Sequence, residues 1–222
     1  LMQLIDPDKY STNSLQKLAS SKATGFLIGG SLLTNGNISQ LIIELKRITQ
    51  KPILLFPGHA IQICEEANGI LLPSLISGRN PDYLIGQHVH ASFAIDRSGM
   101  EVISSGYLLI GNETLSATQY ITQTIPIPVD KPELVLATAL AGIQLGLRTI
   151  YLEAGSGSGK SIPNSLVKML SEKINVPLLV GGGISDLSTA TELKNSGATV
   201  LVIGNALEKN INFIEELNRL FS

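Results

Sequence analysis

The chain has 222 residues, of which 44% are hydrophobic and 15% charged, with a formal net charge of −2. That length suits one α/β-barrel domain (residues 1–222), and a core of this size buries most of its apolar surface. With a slight negative charge and no basic run, nucleic acid is excluded as an expected partner. No apolar stretch reaches the roughly 18 residues that a membrane span needs. The single cysteine, Cys64, rules out an internal disulfide framework and fits a reducing, cytoplasmic compartment. Cys64 reads as a buried structural thiol in a helical stretch. The chain enters its first strand at once after Leu1, so no signal peptide is expected, and some N-terminal residues are expected to be missing.

Short apolar runs ending in glycine, proline or a polar residue punctuate the chain. In order they are Met2–Ile5, Gly25–Ile28, Pro52–Phe56, Gly69–Leu72, Glu101–Ile110, Thr149–Leu152, Val176–Val180 and Thr199–Ile203. Amphipathic helical spacing marks Ser14–Ser21, Ile38–Thr49, Lys131–Gly146, Ile162–Lys173, Leu187–Ser196 and Leu207–Phe221. Asp130 is a candidate N-cap for the long helix, and Asp186 or Ser185 for the one before last. Gly146 and Gly197 stand where a helix ends in a left-handed residue. Strands alternating with helices imply parallel pairing, and eight of them predict a (β/α)8 barrel; an open doubly wound sheet is the alternative. His59–Asn68 is short for a covering helix, while Ser77–Gly99 is long and mixed. One side of the barrel is therefore expected to be thin.

In such barrels, chemistry gathers at the C-terminal strand ends. Asp6 and Asp8 follow strand one, Gly29-Gly30-Ser31 strand two, Glu153 strand six, Gly181–Gly183 strand seven, and Gly204-Asn205 strand eight. Glycines after strands seven and eight let backbone N–H groups approach a phosphate. Asp6 suits Mg2+, with Ser31 as a second oxygen; a plain turn explains Asp6-Pro7-Asp8 equally well. His88 and His90 lack the neighbours that would complete a metal set and read as surface or groove residues. Ala154–Ser161 (AGSGSGKS) is one residue short of a P-loop, with Ala154 where the first glycine belongs. Pro163 and the lack of a later strand ending in aspartate oppose a nucleotide site. The other reading makes Tyr151–Gly157 a strand end carrying a carboxylate and a phosphate-binding turn.

The motifs LIDPDK (Leu4–Lys9), GFLIGGS (Gly25–Ser31), LPSLISGRNPDYLIGQH (Leu72–His88), YLEAGSG (Tyr151–Gly157), VGGGIS (Val180–Ser185) and VIGNALE (Val202–Glu208) cover nearly the whole chain in order. Together they resemble the geranylgeranylglyceryl phosphate synthase family, which includes the bacterial heptaprenylglyceryl phosphate synthases. Leu4, in place of a lysine found in one branch, points to the branch with IDPDK and YLEAGSG. The resemblance implies a barrel with irregular structure in place of the third helix. It also implies transfer of a long prenyl group, most often geranylgeranyl, from its diphosphate to the C3 hydroxyl of sn-glycerol 1-phosphate. Carried over to this sequence, Asp6 and Ser31 hold Mg2+. Tyr151, Leu152, Glu153, Ala154, Gly155, Ser156, Gly157, Gly182, Gly183, Gly204 and Asn205 hold the glycerol phosphate. Glu153, with Tyr151 on the same strand face, orients or deprotonates the attacking hydroxyl. A homodimer or homohexamer, with peripheral membrane contact for the lipid product, is the implied assembly. A sugar-phosphate isomerase on the same barrel is the competing enzyme class.

Overall fold

The structure is a computed structural model and describes residues 1–111, 116–155 and 159–221. In chain order it runs β1 (Met2–Ile5), α1 (Thr12–Ala19), β2 (Gly25–Ile28), α2 (Ile38–Ile48), β3 (Ile53–Leu55), β4 (Gly69–Ser74), α3 (Gln87–Ser98) and β5 (Glu101–Leu109). It continues through α4 (Ala117–Thr122), α5 (Pro132–Gln144), β6 (Thr149–Glu153), α6 (Asn164–Lys173), β7 (Leu178–Gly181), α7 (Leu187–Asn195), β8 (Val200–Ile203), α8 (Asn205–Lys209) and α9 (Phe213–Leu220). The strands close in sequence order into the barrel that the alternation predicts. Two compact units make up the chain: Leu1–Leu72 with Gln87–Ile103 and Ile203–Ser222, and Pro73–Gly86 with Ser104–Val202.

In the first unit, β1, β2 and β3 pair in parallel, with Ile5 opposite Ile28 and Ile28 opposite Leu55. Every residue of β2 is buried, as a strand covered on both faces requires. Ser11 and Ser14 close a capping box on α1, and Asn37 caps α2 through Gln40 N. After β3 only a single 3-10 turn forms, Ala60–Gln62. Pro57 and Gly58 interrupt the chain there, and buried Gln62 turns inward. Its Oε1 accepts from Gly58 N at 2.9 Å and its Nε2 donates to Gly30 O at 3.2 Å. Those bonds satisfy the backbone without a helix. Cys64 lies in no helix, contrary to expectation, but is buried as expected, and its Sγ donates to Glu66 Oε2 at 2.8 Å. Burial, with the Glu66 carboxylate beside it, pushes the thiol up to about 11, so it is inert at neutral pH. His88 is half-buried and His90 exposed, two positions apart on α3, where they share no face. The last expected helix is two, α8 and α9, because Asn210 is extended and Asn212 starts a new turn.

In the second unit, β5, β6 and β7 are in register through Tyr107–Tyr151–Leu179 and Leu109–Glu153–Gly181. Leu108, Ile150, Leu152, Val167 and Leu170 are fully buried around them. α5 starts with Lys131 at the cap and Pro132 at its first position, so Asp130 lies outside the cap that it was expected to form. Asp186 caps α7 through Thr189 N, and Gly146 and Gly197 follow their helices with φ of 93° and 100°. α4 is a helix beyond the six amphipathic segments, started by a capping box of Ser116 and Gln119. β6 runs one residue further than expected, to Glu153.

Candidate active site

Period-two alternation along β6 puts Tyr151 and Glu153 on one face and Leu152 on the other. Leu152 therefore offers a ligand on that face only its backbone. Tyr151 is 1% exposed and Glu153 7%. The Tyr151 hydroxyl donates to the Glu153 carboxylate. Glu153 Oε1 also accepts from Gly155 N at 2.9 Å, and the Glu153 carbonyl accepts from Ile110 N at 2.9 Å. Gly155, at φ 98°, holds the turn that returns its N–H to the carboxylate. Two donors do not replace the water that burial removes. Desolvation therefore raises Glu153 to about 7, against the lowering effect of the Gly155 N–H and the Tyr151 hydroxyl. Desolvation also pushes the Tyr151 hydroxyl well above its ordinary value, with the Glu153 charge adding to it. At neutral pH the phenol is neutral and the carboxylate lies near its midpoint, the state that a general base needs. Ala154 is half-buried, whereas Ser156 and Gly157 lie outside the described residues.

The three glycines at the end of β7 and just after it, Gly181–Gly183, have a role that sequence spacing does not reveal. A Cβ on Gly181 would stand 2.9 Å from Tyr151 Cζ and 3.1 Å from Glu153 Oε2, and would overlap the Tyr151 hydroxyl. A Cβ on Gly182 would overlap Glu153 Oε1 and lie 2.9 Å from Ala154 N. Gly183 meets the Lys160–Ser161 backbone, with its Cβ position 2.7 Å from Ser161 N. Gly182 and Gly183 have φ of 80° and 68°, so each also needs the left-handed region. The run thus makes room for the buried pair and for the Lys160–Ser161 backbone. Lys160 and Ser161 precede α6, whose cap is Pro163. They do not enter its first turn, where a P-loop places them.

In the first unit, Asp6 follows β1 and is 18% exposed on its side chain. Its Oδ1 accepts from Asp8 N at 3.0 Å and its Oδ2 pairs with Lys9 Nζ at 3.0 Å, while Lys9 also reaches Glu208 Oε2 at 3.5 Å. A Cβ on Gly30 would lie 3.5 Å from Asp6 Oδ1, so the carboxylate rests against the residue before Ser31. Asp8 faces elsewhere. Its carboxylate takes the N–H groups of Thr34 and Asn35, each at 2.8 Å, that of Gly36, and the Thr34 hydroxyl at 2.9 Å. Asp8 thus pins the loop after β2. No group of three His, Cys, Asp or Glu side chains among the described residues could cage a metal. One carboxylate and a nearby serine fit Mg2+, which takes few protein ligands when a diphosphate and water supply the rest. Gly204 caps α8 with its Cβ position 3.2 Å from Leu4 O, and Asn205 is the first residue of that helix; both are half-buried.

Among proteins of known structure, the chain is similar to the (S)-3-O-geranylgeranylglyceryl phosphate synthase of Thermoplasma acidophilum, crystallised with sn-glycerol-1-phosphate. The TM-score is 0.89 and the identity 27%, over 99% of this chain and 90% of that one. Curated relatives named geranylgeranylglyceryl phosphate synthase include that of Flavobacterium johnsoniae, 43% identical over 96% of this chain and 89% of the relative. That of Spirosoma linguale is 40% identical over 96% and 88%. Likeness to thiamine phosphate pyrophosphorylase of Pyrococcus furiosus, at 13% identity and a TM-score of 0.62, reflects the barrel alone. The PcrB family profile matches residues 1–220, and with relatives at this identity over nearly the full length, the chain belongs to the PcrB family.

Proposed function

We propose that this chain is a prenyltransferase that joins a long-chain prenyl diphosphate, geranylgeranyl diphosphate foremost, to the C3 hydroxyl of sn-glycerol 1-phosphate. The observation that carries the reading is the buried Tyr151–Glu153 pair at a barrel strand end, in a chain whose curated relatives bear the synthase name. An alcohol is a weak nucleophile at neutral pH. Glu153, raised to about 7, takes the C3 hydroxyl proton as the oxygen bonds to C1 of the prenyl group. The bond from C1 to the diphosphate oxygen breaks, and diphosphate leaves with the electron pair. Tyr151 holds Glu153 in position through its hydroxyl.

Residues Tyr151–Gly157, Gly182-Gly183 and Gly204-Asn205 are assigned to glycerol phosphate, in keeping with the family resemblance and with the half-buried backbone, free of side chains, at Gly182 and Gly183. Asp6 and Ser31 are assigned to Mg2+, which when bound neutralises charge on the leaving diphosphate. The protein is read as a cytoplasmic homo-oligomer, dimer or hexamer. Exposed apolar side chains support association: Val89 and Phe93 in the first unit, Ile125, Leu134 and Leu145 in the second. Among the described residues no helix is long and apolar enough to cross a membrane, so contact with the lipid product's membrane is taken as peripheral.

Radiolabelled geranylgeranyl diphosphate, sn-glycerol 1-phosphate and Mg2+ should yield an organic-soluble product. Chelation should stop the reaction, and Lys160→Ala should leave it intact. No turnover with either enantiomer of glycerol phosphate, across a series of donor lengths, refutes the reading. Activity on an aldose phosphate without Mg2+ would favour an isomerase instead.

A further inference from the structure

Tyr107 takes no part in the transfer, yet it packs against the same buried pair. It lies on β5, 7% exposed, directly opposite Tyr151 in the parallel ladder. The two rings stack with centroids 5.2 Å apart and planes 18° from parallel. Next to the Tyr151 hydroxyl is the bare backbone of Gly181, where a Cβ would overlap it. The Tyr151 ring is thus stacked on one aromatic neighbour and confined at its tip, with its hydroxyl directed at Glu153. Tyr107 has its own tether. Its hydroxyl bonds the side chain of Thr118, in the first turn of α4, a helix whose start is fixed by the Ser116–Gln119 box. Ring packing alone asks for phenylalanine here, since a buried phenol is costly without a partner. A tyrosine with a dedicated threonine fixes the depth at which the ring lies.

We propose that Tyr107 is a positioning residue: stacked on Tyr151 and tied to Thr118, it holds the Tyr151 hydroxyl on Glu153 and so sets when that carboxylate carries a proton. In the second unit, the groups among the described residues that bear on Glu153 are the phenols of Tyr151 on its own strand and Tyr107 on β5, and the Gly155 N–H; Gly181 at the end of β7 and Gly182 after it bring backbone against it. Beside burial and the Gly155 N–H, two phenols therefore bear on Glu153. For its effect on turnover, the proposal rests on Glu153 being the base.

Infrared titration of the full-length protein with 13C-labelled glutamate reads the Glu153 carboxyl band directly, assigned by its loss in Glu153→Gln. Tyr151→Phe removes a donor from the carboxylate and should move the protonation midpoint up. Tyr107→Leu should move it the same way, by half a unit or more, which is a roughly threefold loss of ionised enzyme below the midpoint. In the Tyr151→Phe background, Tyr107→Leu should add nothing, because it acts through that hydroxyl. Tyr107→Phe and Thr118→Val keep the ring and loosen its tether, so they should give smaller upward shifts. These two carry the test if the leucine variant does not fold. A midpoint unchanged in Tyr107→Leu, Tyr107→Phe and Thr118→Val alike, or a Tyr107→Leu shift that adds in full to that of Tyr151→Phe, overturns the proposal. The acid limb of kcat/KM should follow the infrared midpoint. Shifted midpoints in a protein that transfers no prenyl group would leave this inference standing and remove the functional reading instead.

Discussion

The carboxylate of Asp8 collects three backbone N–H groups and a threonine hydroxyl on the loop after β2, while that of Glu153 collects one N–H and one phenol inside the second unit. The Asn35 N–H, then that of Thr34, holds Asp8 down at about 2, whereas desolvation raises Glu153 to about 7. Both residues end or follow a barrel strand, so position alone does not separate them. The count of donors and the access of water do. A carboxylate saturated with N–H groups is committed to holding a loop. One that is buried and underprovided keeps a proton within reach of neutral pH, which suits proton transfer. Asp6 is partly exposed and takes one N–H and one lysine, with lone pairs left over.

Several substitutions can break this contrast, and Asp6→Ala should do most to activity. It should lower turnover by roughly a thousandfold or more, because charge stabilisation of a leaving diphosphate by a metal is worth several kcal/mol. Its thermal midpoint should stay close to wild type. A variant that keeps its rate while losing stability would move Asp6 into the structural class with Asp8. Gly181→Ala comes next. The new methyl meets the buried Tyr151 ring and hydroxyl, so denaturant titration should show a loss of roughly 1–3 kcal/mol, with activity falling alongside. A neutral result would mean that the pocket yields easily and that Glu153 is less confined than its burial implies.

The linkage to pH has opposite signs at the two sites. Glu153 has a folded value of about 7 against an ordinary 4.5, so the native state holds the proton more tightly than the unfolded chain. Its ionisation therefore costs stability as pH rises through that window, on the order of 3 kcal/mol when complete. Glu153→Gln should raise stability at pH 8 relative to wild type, with the difference shrinking towards pH 4.5. Asp8, at about 2 against 3.8, contributes stability above 3.8 that is lost as pH falls through 2. Asp8→Asn should give the smallest effect of the set: a slightly lower thermal midpoint at pH 7 that merges with wild type in strong acid. A stability difference for Asp8→Asn that grows on acidification would contradict the assignment.

Much of the barrel is legible in the chain because parallel strands buried on both faces read as apolar runs, and β2 is the clearest of them. The caps at Asp186, Gly146 and Gly197 are legible because each depends on one local residue. Asp130 misleads because Pro132, two residues on, moves the cap to Lys131. The break between α8 and α9 is hidden in an unbroken amphipathic pattern; only Asn210 and Asn212 betray it. At the candidate site, Glu153 is visible as a charge at a strand end, but its raised proton affinity depends on neighbours from other strands. Tyr107, 44 residues before Tyr151, shows only as a hydroxyl-bearing aromatic in an apolar strand. Gly181 and Gly182 read as a phosphate loop, and their second purpose, space for Tyr151 and Glu153, exists only once β6 and β7 pair.

The most direct measurement is single-turnover transfer at pH 8, from labelled geranylgeranyl diphosphate to sn-glycerol 1-phosphate, in wild type and Glu153→Gln, with glycerol phosphate affinity measured by calorimetry. The expected result is an organic-soluble ether from wild type, a rate lower by roughly 100- to 10,000-fold in the variant, and glycerol phosphate affinity within a few-fold of wild type. Transfer at an unchanged rate in Glu153→Gln would show that the buried carboxylate is not the base.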